Sequence, residues 1–210
     1  MDSDVIIVGG GPVGMGLAID LAIQGMDSIV VERHTDIQRI PKGQNLTPRT
    51  GEHFRRWGVS DAIRAASPIP HNYANGGMAS YRTFVSDHHY DWFNRSKIKN
   101  YYAASHERLP QYETEAVLRE RARAFDEIAL MTGWSFAALS QDKTKVSATI
   151  TQTHGDESQV LASSFLVGCD GARSPVRSAA EITRTEDAHD QRMALLVFQS
   201  NQLDEQLARY

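Results

Sequence analysis

The first strand and the glycine turn after it constrain this chain more than any other feature. Val5-Ile6-Ile7-Val8 is an apolar run, suited to a strand buried on both faces. Gly9-Gly10-Gly11-Pro12-Val13-Gly14 follows at once. Gly9 permits a tight turn, Gly11 lets backbone approach a pyrophosphate, and Gly14 lets the next helix pack against the strand. Pro12 suits a first helical turn, where its missing N–H costs nothing. Val13 then stands beside N–H groups that are free to meet an anion at the positive end of the helix dipole. A second strand, Ser28 to Val31, leads to Glu32, 18 residues past Gly14. An acid at about that spacing holds ribose hydroxyls. Strand, turn, helix, strand and acid in this order predict a pocket for the ADP half of a dinucleotide.

The first helix is expected over Pro12 to Gln24, with Gly25 as its stop. A plain nucleotide fold would then cross directly to a third parallel strand. Residues 33–110 instead make a long excursion. It holds a predicted helix from Pro48 to Gly58 capped by Thr47, and a short one over Ser60 to Ala66 capped by Ser60. Eight aromatics fall between residues 71 and 106: Tyr73, Tyr81, Phe84, Tyr90, Trp92, Phe93, Tyr101 and Tyr102. Their partial alternation predicts short antiparallel strands. They either pack beneath a sheet or line a pocket for a flat substrate.

Glu113 to Ala124 reads as a helix. The next stretch reads as an antiparallel meander, with strands over 128–132, 134–139, 145–153 and 159–165. Phe165-Leu166-Val167-Gly168-Cys169 is apolar throughout and is expected to be a buried parallel strand. Pro175 to Ala180 is a predicted short helix and Met193 to Gln199 a further strand.

Composition narrows the alternatives. The 210 residues are 41% hydrophobic and 23% charged, with net charge −4, which gives no basic patch for nucleic acid. No run reaches the ~20 apolar residues of a membrane span. Cys169 is the single cysteine, so an internal disulfide is excluded and a cytoplasmic setting is expected. The eight histidines are scattered and there is no cysteine cluster, so no metal site is expected.

Four motifs in order resemble one family: Gly9-x-Gly11-x-x-Gly14 with Glu32-Arg33, the segment Lys42-Gly43-Gln44 through Glu52, Gln111-x-x-x-Glu115-x-x-Leu118, and Cys169-Asp170-Gly171-Ala172-Arg173-Ser174. From Val5 to about Ser200 the chain is similar to the FAD-dependent aromatic hydroxylases, the single-component flavoprotein monooxygenases related to para-hydroxybenzoate hydroxylase. The resemblance implies an α/β fold: a Rossmann-like FAD-binding domain of the glutathione-reductase type, with an inserted antiparallel β meander and the start of a substrate-domain sheet. Residues 1–180 would form the FAD-binding domain, with 71–106 partly on the substrate side, and 181–210 would begin a substrate-binding domain.

The resemblance also implies roles. Gly9, Gly11, Pro12, Val13 and Gly14 would sit at the FAD pyrophosphate. Glu32 would hold the adenosine ribose, with Arg33 near the adenine. Lys42 stands where the family has arginine, and Gln44 follows in the same loop. Gln111 would lie near the flavin phosphates or ribityl chain, and Asp170 with Gly171 would help hold the cofactor. Arg49, Glu52 and Glu115 fit either a cofactor role or helix packing and ion pairs. The implied reaction inserts oxygen from O₂ into a small phenol-like substrate, with NADH or NADPH as electron donor and no catalytic residue assigned. The family's later glycine-aspartate motif is not found. The chain is therefore expected to be an N-terminal portion, either of a hydroxylase or of a non-catalytic nucleotide-binding module that self-associates or needs another chain. A NAD-dependent dehydrogenase is disfavoured by the meander and by the Asp170-Gly171 turn.

Overall fold

The computed structural model describes residues 1–40, 42–68, 78–82, 86–91, 97, 99–185 and 200–202. A six-stranded sheet organises them. Its strands are β1 (Ser3–Val8), β2 (Ser28–Glu32), β7 (Ile128–Thr132), β8 (Trp134–Gln141), β9 (Val146–Gln152) and β10 (Ser158–Gly168), in the order β7-β2-β1-β10-β9-β8. The first four in that order run parallel, and β9 and β8 are antiparallel. Two short antiparallel pairs lie in the excursion: β3 (Asn45–Leu46) with β6 (Glu107–Arg108), and β4 (Met78–Ser80) with β5 (His89–Asp91). The second pair falls where the aromatic segment predicts antiparallel strands.

Helix α1 (Pro12–Ala22) and helix α4 (Gln111–Ala122) cover one face of the parallel strands. Val5, Ile7 and Val30 from the sheet meet Met15, Ala18, Ile19 and Leu118 from these helices. Helices α2 (Pro48–Trp57) and α3 (Ser60–Ala65) add Phe54 and Ile63 to the same core. On the other face Ile6, Val8, Ile29 and Val31 pack against Ala148, Ile150 and Leu161 of the meander and Val176 of helix α5 (Pro175–Ala179). The meander folds back far enough for Thr153 to donate from Oγ1 to the Arg33 carbonyl just past β2, at 2.9 Å.

Strand β10 belongs to both halves. Residues 158–163 pair antiparallel with β9, and residues 163–168 pair parallel with β1. Leu161 and Leu166 share one core cluster although strict alternation puts them on opposite faces, so the strand turns over between them.

Four expectations are corrected. Strand β7 is the third parallel strand, beside β2, and not part of the meander; Gly133, at φ +78°, separates it from β8. The excursion therefore interrupts a crossover that α4 completes. The apolar run from Phe165 is not buried on both faces: Phe165 is 63% and Val167 36% exposed. Helix α3 is preceded by Val59 as its N-cap, with no side-chain cap, and Ser60 is its first residue. Helix α4 lies two residues earlier than expected because Pro110 sets its start. Thr47 does cap α2, accepting from the Thr50 N–H at 3.3 Å. The expected strand at 193–199 and most of the expected domain over 181–210 lie outside the described residues, as do Tyr73, Phe84, Trp92 and Phe93. Tyr81, Tyr90, Tyr101 and Tyr102 are exposed.

Candidate functional site

A cleft of about 820 Å³ opens at the carboxyl ends of the parallel strands. Strand β1 connects to β2 on one side and has β10 on the other, so the cleft lies where ligands of open α/β sheets bind.

The β1 turn forms the floor. Gly9, at φ +108°, sits where an added Cβ would strike the Cys169 carbonyl of the neighbouring strand end. Gly11 has open space in front of it, with nothing within 4 Å of the Cβ position. Gly14 is the exception among the expected residues. It does not line the cleft; a Cβ there would overlap the Gly9 carbonyl, so its part is to let α1 approach β1. Helix α1 has no side-chain cap at Gly11 and no acid in its first turn. Its first N–H groups and positive dipole end therefore face the cleft, and no side chain among the described residues caps them.

Glu32 closes the turn. It is 9% exposed, and its Oε2 accepts from the Gly10 N–H at 2.7 Å while Oε1 accepts from the His34 N–H at 2.9 Å. A carboxylate has about four acceptor positions, so capacity remains for ribose hydroxyls. Arg33 and His34 lie beside it on the rim, Arg33 Nε donating to His34 Nε2 at 3.2 Å.

The loop before β3 and the start of α4 form a second wall. The Gln111 N–H donates to the Gly43 carbonyl at 3.0 Å, and the Leu109 N–H to the Gln44 carbonyl at 2.9 Å. This pins Lys42, Gln44 and Gln111 along one side. Gln111 donates from Nε2 to Glu115 Oε1 at 2.7 Å. Glu115 lines the cleft, but Arg49 and Glu52 do not. Those two form an ion pair at 3.0 Å, and Glu52 also accepts from the Ala103 N–H. The Arg49 guanidinium and then the Ala103 N–H hold the Glu52 carboxyl below the usual range.

The third wall is the β10 turn. Asp170 Oδ2 accepts from the Val176 N–H at 3.1 Å, tying the turn to α5, while Oδ1 is buried with no partner. An acceptor left free in a cleft fits a hydroxyl-bearing ligand. Gly171, at φ +88°, carries the chain round. Cys169 lines the cleft and also touches the helix-side core. Burial, and then the Asp170 charge, push its thiol pKa up, so it is a poor nucleophile. Among the described residues no group of three metal-binding side chains occurs. None of their helices is long and apolar enough to cross a membrane.

Eleven of the twelve expected cofactor residues thus line one cleft. Sequence reading missed Thr114, Arg119, Trp134 and Phe136, which line it too. Arg119 had a signal: it follows Gln111 and Glu115 at steps of four, on one helix face. Trp134 and Phe136 reach the cleft only because the meander folds over the sheet.

An uncapped helix end over a glycine turn, closed by an acid, is one way to build a dinucleotide site. The family model described as an FAD binding domain matches residues 2–208. The chain belongs to the FAD binding domain family that this model describes.

Flavin-dependent and other monooxygenases and hydroxylases are similar along most of the chain. The 3-(3-hydroxy-phenyl)propionate/3-hydroxycinnamic acid hydroxylase of Comamonas testosteroni is 28% identical over 180 residues, covering 84% of this chain and 28% of the relative. The rifampicin monooxygenase of Streptomyces venezuelae is 32% identical over 174 residues, covering 83% and 33%. The solved structure of the flavin-dependent monooxygenase PieE in complex with FAD and substrate superposes with a TM-score of 0.77 at 29% identity, covering 87% of this chain and 32% of that one. The chain spans about a third of the length of such relatives.

Proposed function

We propose that this chain binds FAD in the cleft and serves hydroxylation of a small phenol-like substrate by O₂, with NADH or NADPH as reductant. One observation carries the reading: the uncapped α1 terminus and Glu32 meet at one turn, Glu32 accepting from the Gly10 N–H at 2.7 Å, an arrangement that suits an anion beside a ribose. Gly9, Gly11, Pro12 and Val13 would face the diphosphate, and Glu32 the adenosine ribose. Arg33 would lie near the adenine. Lys42 would add a point charge where the family has a planar guanidinium. Gln111, Asp170 and Gly171 would hold the polar chain toward the flavin. Once reduced, the bound FAD would supply two-electron activation of O₂, ending in ring hydroxylation and water. The protein's share is to position, to exclude water and to balance charge. A cytoplasmic setting suits the single, partly buried cysteine.

The test is an absorbance titration. Wild-type protein with added FAD should show a perturbed flavin spectrum, and Glu32→Ala should weaken binding at least about tenfold, as expected when a cradle loses a charge-assisted hydrogen bond. A folded wild-type protein with no response to FAD would sink the reading. A second reading, a binding module without turnover of its own, draws on the exposed Phe165 and Val167. Retained flavin without phenol-dependent NADH or NADPH consumption would favour it.

A further inference from the structure

The α4 wall holds two donors left unused among the described residues. Arg119 is only 8% exposed, and its Nε has no hydrogen-bond partner. Thr114 is 1% exposed, and its Oγ1 likewise has none. Both line the cleft. A buried charge is costly unless something opposes it. Of the acids on the helix, Glu115, one turn back, has its Oε1 engaged by Gln111, and Glu120 pairs with Arg123. Asp170, whose Oδ1 is free on another wall of the cleft, does not reach Arg119 either. Two opposite charges thus line one cavity without meeting, which suits a ligand that comes between them. Helical side chains lean toward the helix N-terminus. That lean favours the Gln111 end of α4, where Lys42 also stands.

We propose that Arg119, helped by the Thr114 hydroxyl, is a counter-charge built into the α4 wall for the diphosphate of the bound dinucleotide. This inference rests on the FAD reading above. A guanidinium matches phosphate oxygens with two parallel N–H donors, and the Thr114 hydroxyl on the same wall of the cleft adds a third. The residue is a binding group, and its burial keeps the charge undiluted by solvent.

The test compares FAD with riboflavin, which has the same ring system but no phosphate. In Arg119→Met the FAD dissociation constant should rise about tenfold or more, while riboflavin binding stays within about twofold. Without ligand, Arg119→Met should melt at the same temperature as wild type or higher, because an unopposed buried charge is gone. Thr114→Val should show the same FAD-selective loss, smaller in size. Unchanged FAD affinity in Arg119→Met would overturn the proposal. So would FAD and riboflavin weakening together with a lower ligand-free melting temperature, the mark of a packing residue. Should Arg119→Met fail to fold, Arg119→Lys decides: FAD-selective loss supports the role and unchanged FAD affinity refutes it. Wild-type protein that binds no FAD sinks the functional reading itself; a variant that binds FAD as wild type does sinks only the role of Arg119.

Discussion

Val5 and Phe165 are register partners on adjacent parallel strands and share a face of the sheet, yet Val5 is 4% exposed and Phe165 63%. The next pair repeats the contrast: Ile7 is fully buried and Val167 36% exposed. The strands are alike in composition and pairing. They differ in what lies above them, because α1 covers β1 and no described element covers this part of β10. Burial belongs to the cover as much as to the strand.

The contrast can be tested directly. Ile7→Ala should cost about 3 kcal/mol in chemical denaturation, as for a large-to-small change in a packed core. Val167→Ala should cost less than about 0.5 kcal/mol, the range of surface changes. Equal losses would show that Val167 is buried in solution. Gly14→Ala attacks the cover itself. Its Cβ would overlap the Gly9 carbonyl, so α1 must lift, at about 2 kcal/mol for such overpacking, with FAD affinity falling alongside. Phe165→Ser should leave stability within about 0.5 kcal/mol and lower the binding of an apolar dye, because the exposed ring is gone. A large destabilisation there would mean that the face is already covered.

The smallest effect concerns Cys169, where the exposed strand meets the cleft. Burial first, and then the Asp170 charge, raise its thiol pKa. A raised pKa keeps the thiol protonated to higher pH, so alkylation in the folded protein should stay slow through the pH range where a free cysteine reacts. It should quicken in denaturant. Asp170→Asn should shift the alkylation profile slightly toward lower pH. An unchanged profile would assign the whole effect to burial.

Much of the site was legible because its chemistry is local. Gly9, Gly11 and Gly14 are needed by backbone geometry within six residues, and Glu32 follows at a distance set by one helix and one strand. The β10 turn was legible for the same reason, as Asp170 and Gly171 adjoin at a strand end. Strand β7 was misassigned because Ile128-Ala129-Leu130-Met131-Thr132 lies one glycine from β8, while its true neighbour β2 is some hundred residues away in sequence. Ser60 was a good cap by type, but Val59 already occupied that backbone position. Arg119 was overlooked because a charged residue on a helix is normally read as solvent-facing.

Local order in the chain was enough to specify the β1–α1–β2 cradle, since turn geometry, helix capping and strand length act between near neighbours. Only the packed molecule decided which apolar strand is covered, which strand lies beside β2 and which charges are left facing the cleft. Those outcomes depend on segments brought together from 160 residues apart and more, as in the contact of Asp2 with Ala162. Excluded volume and desolvation act on such neighbours whatever their spacing along the chain.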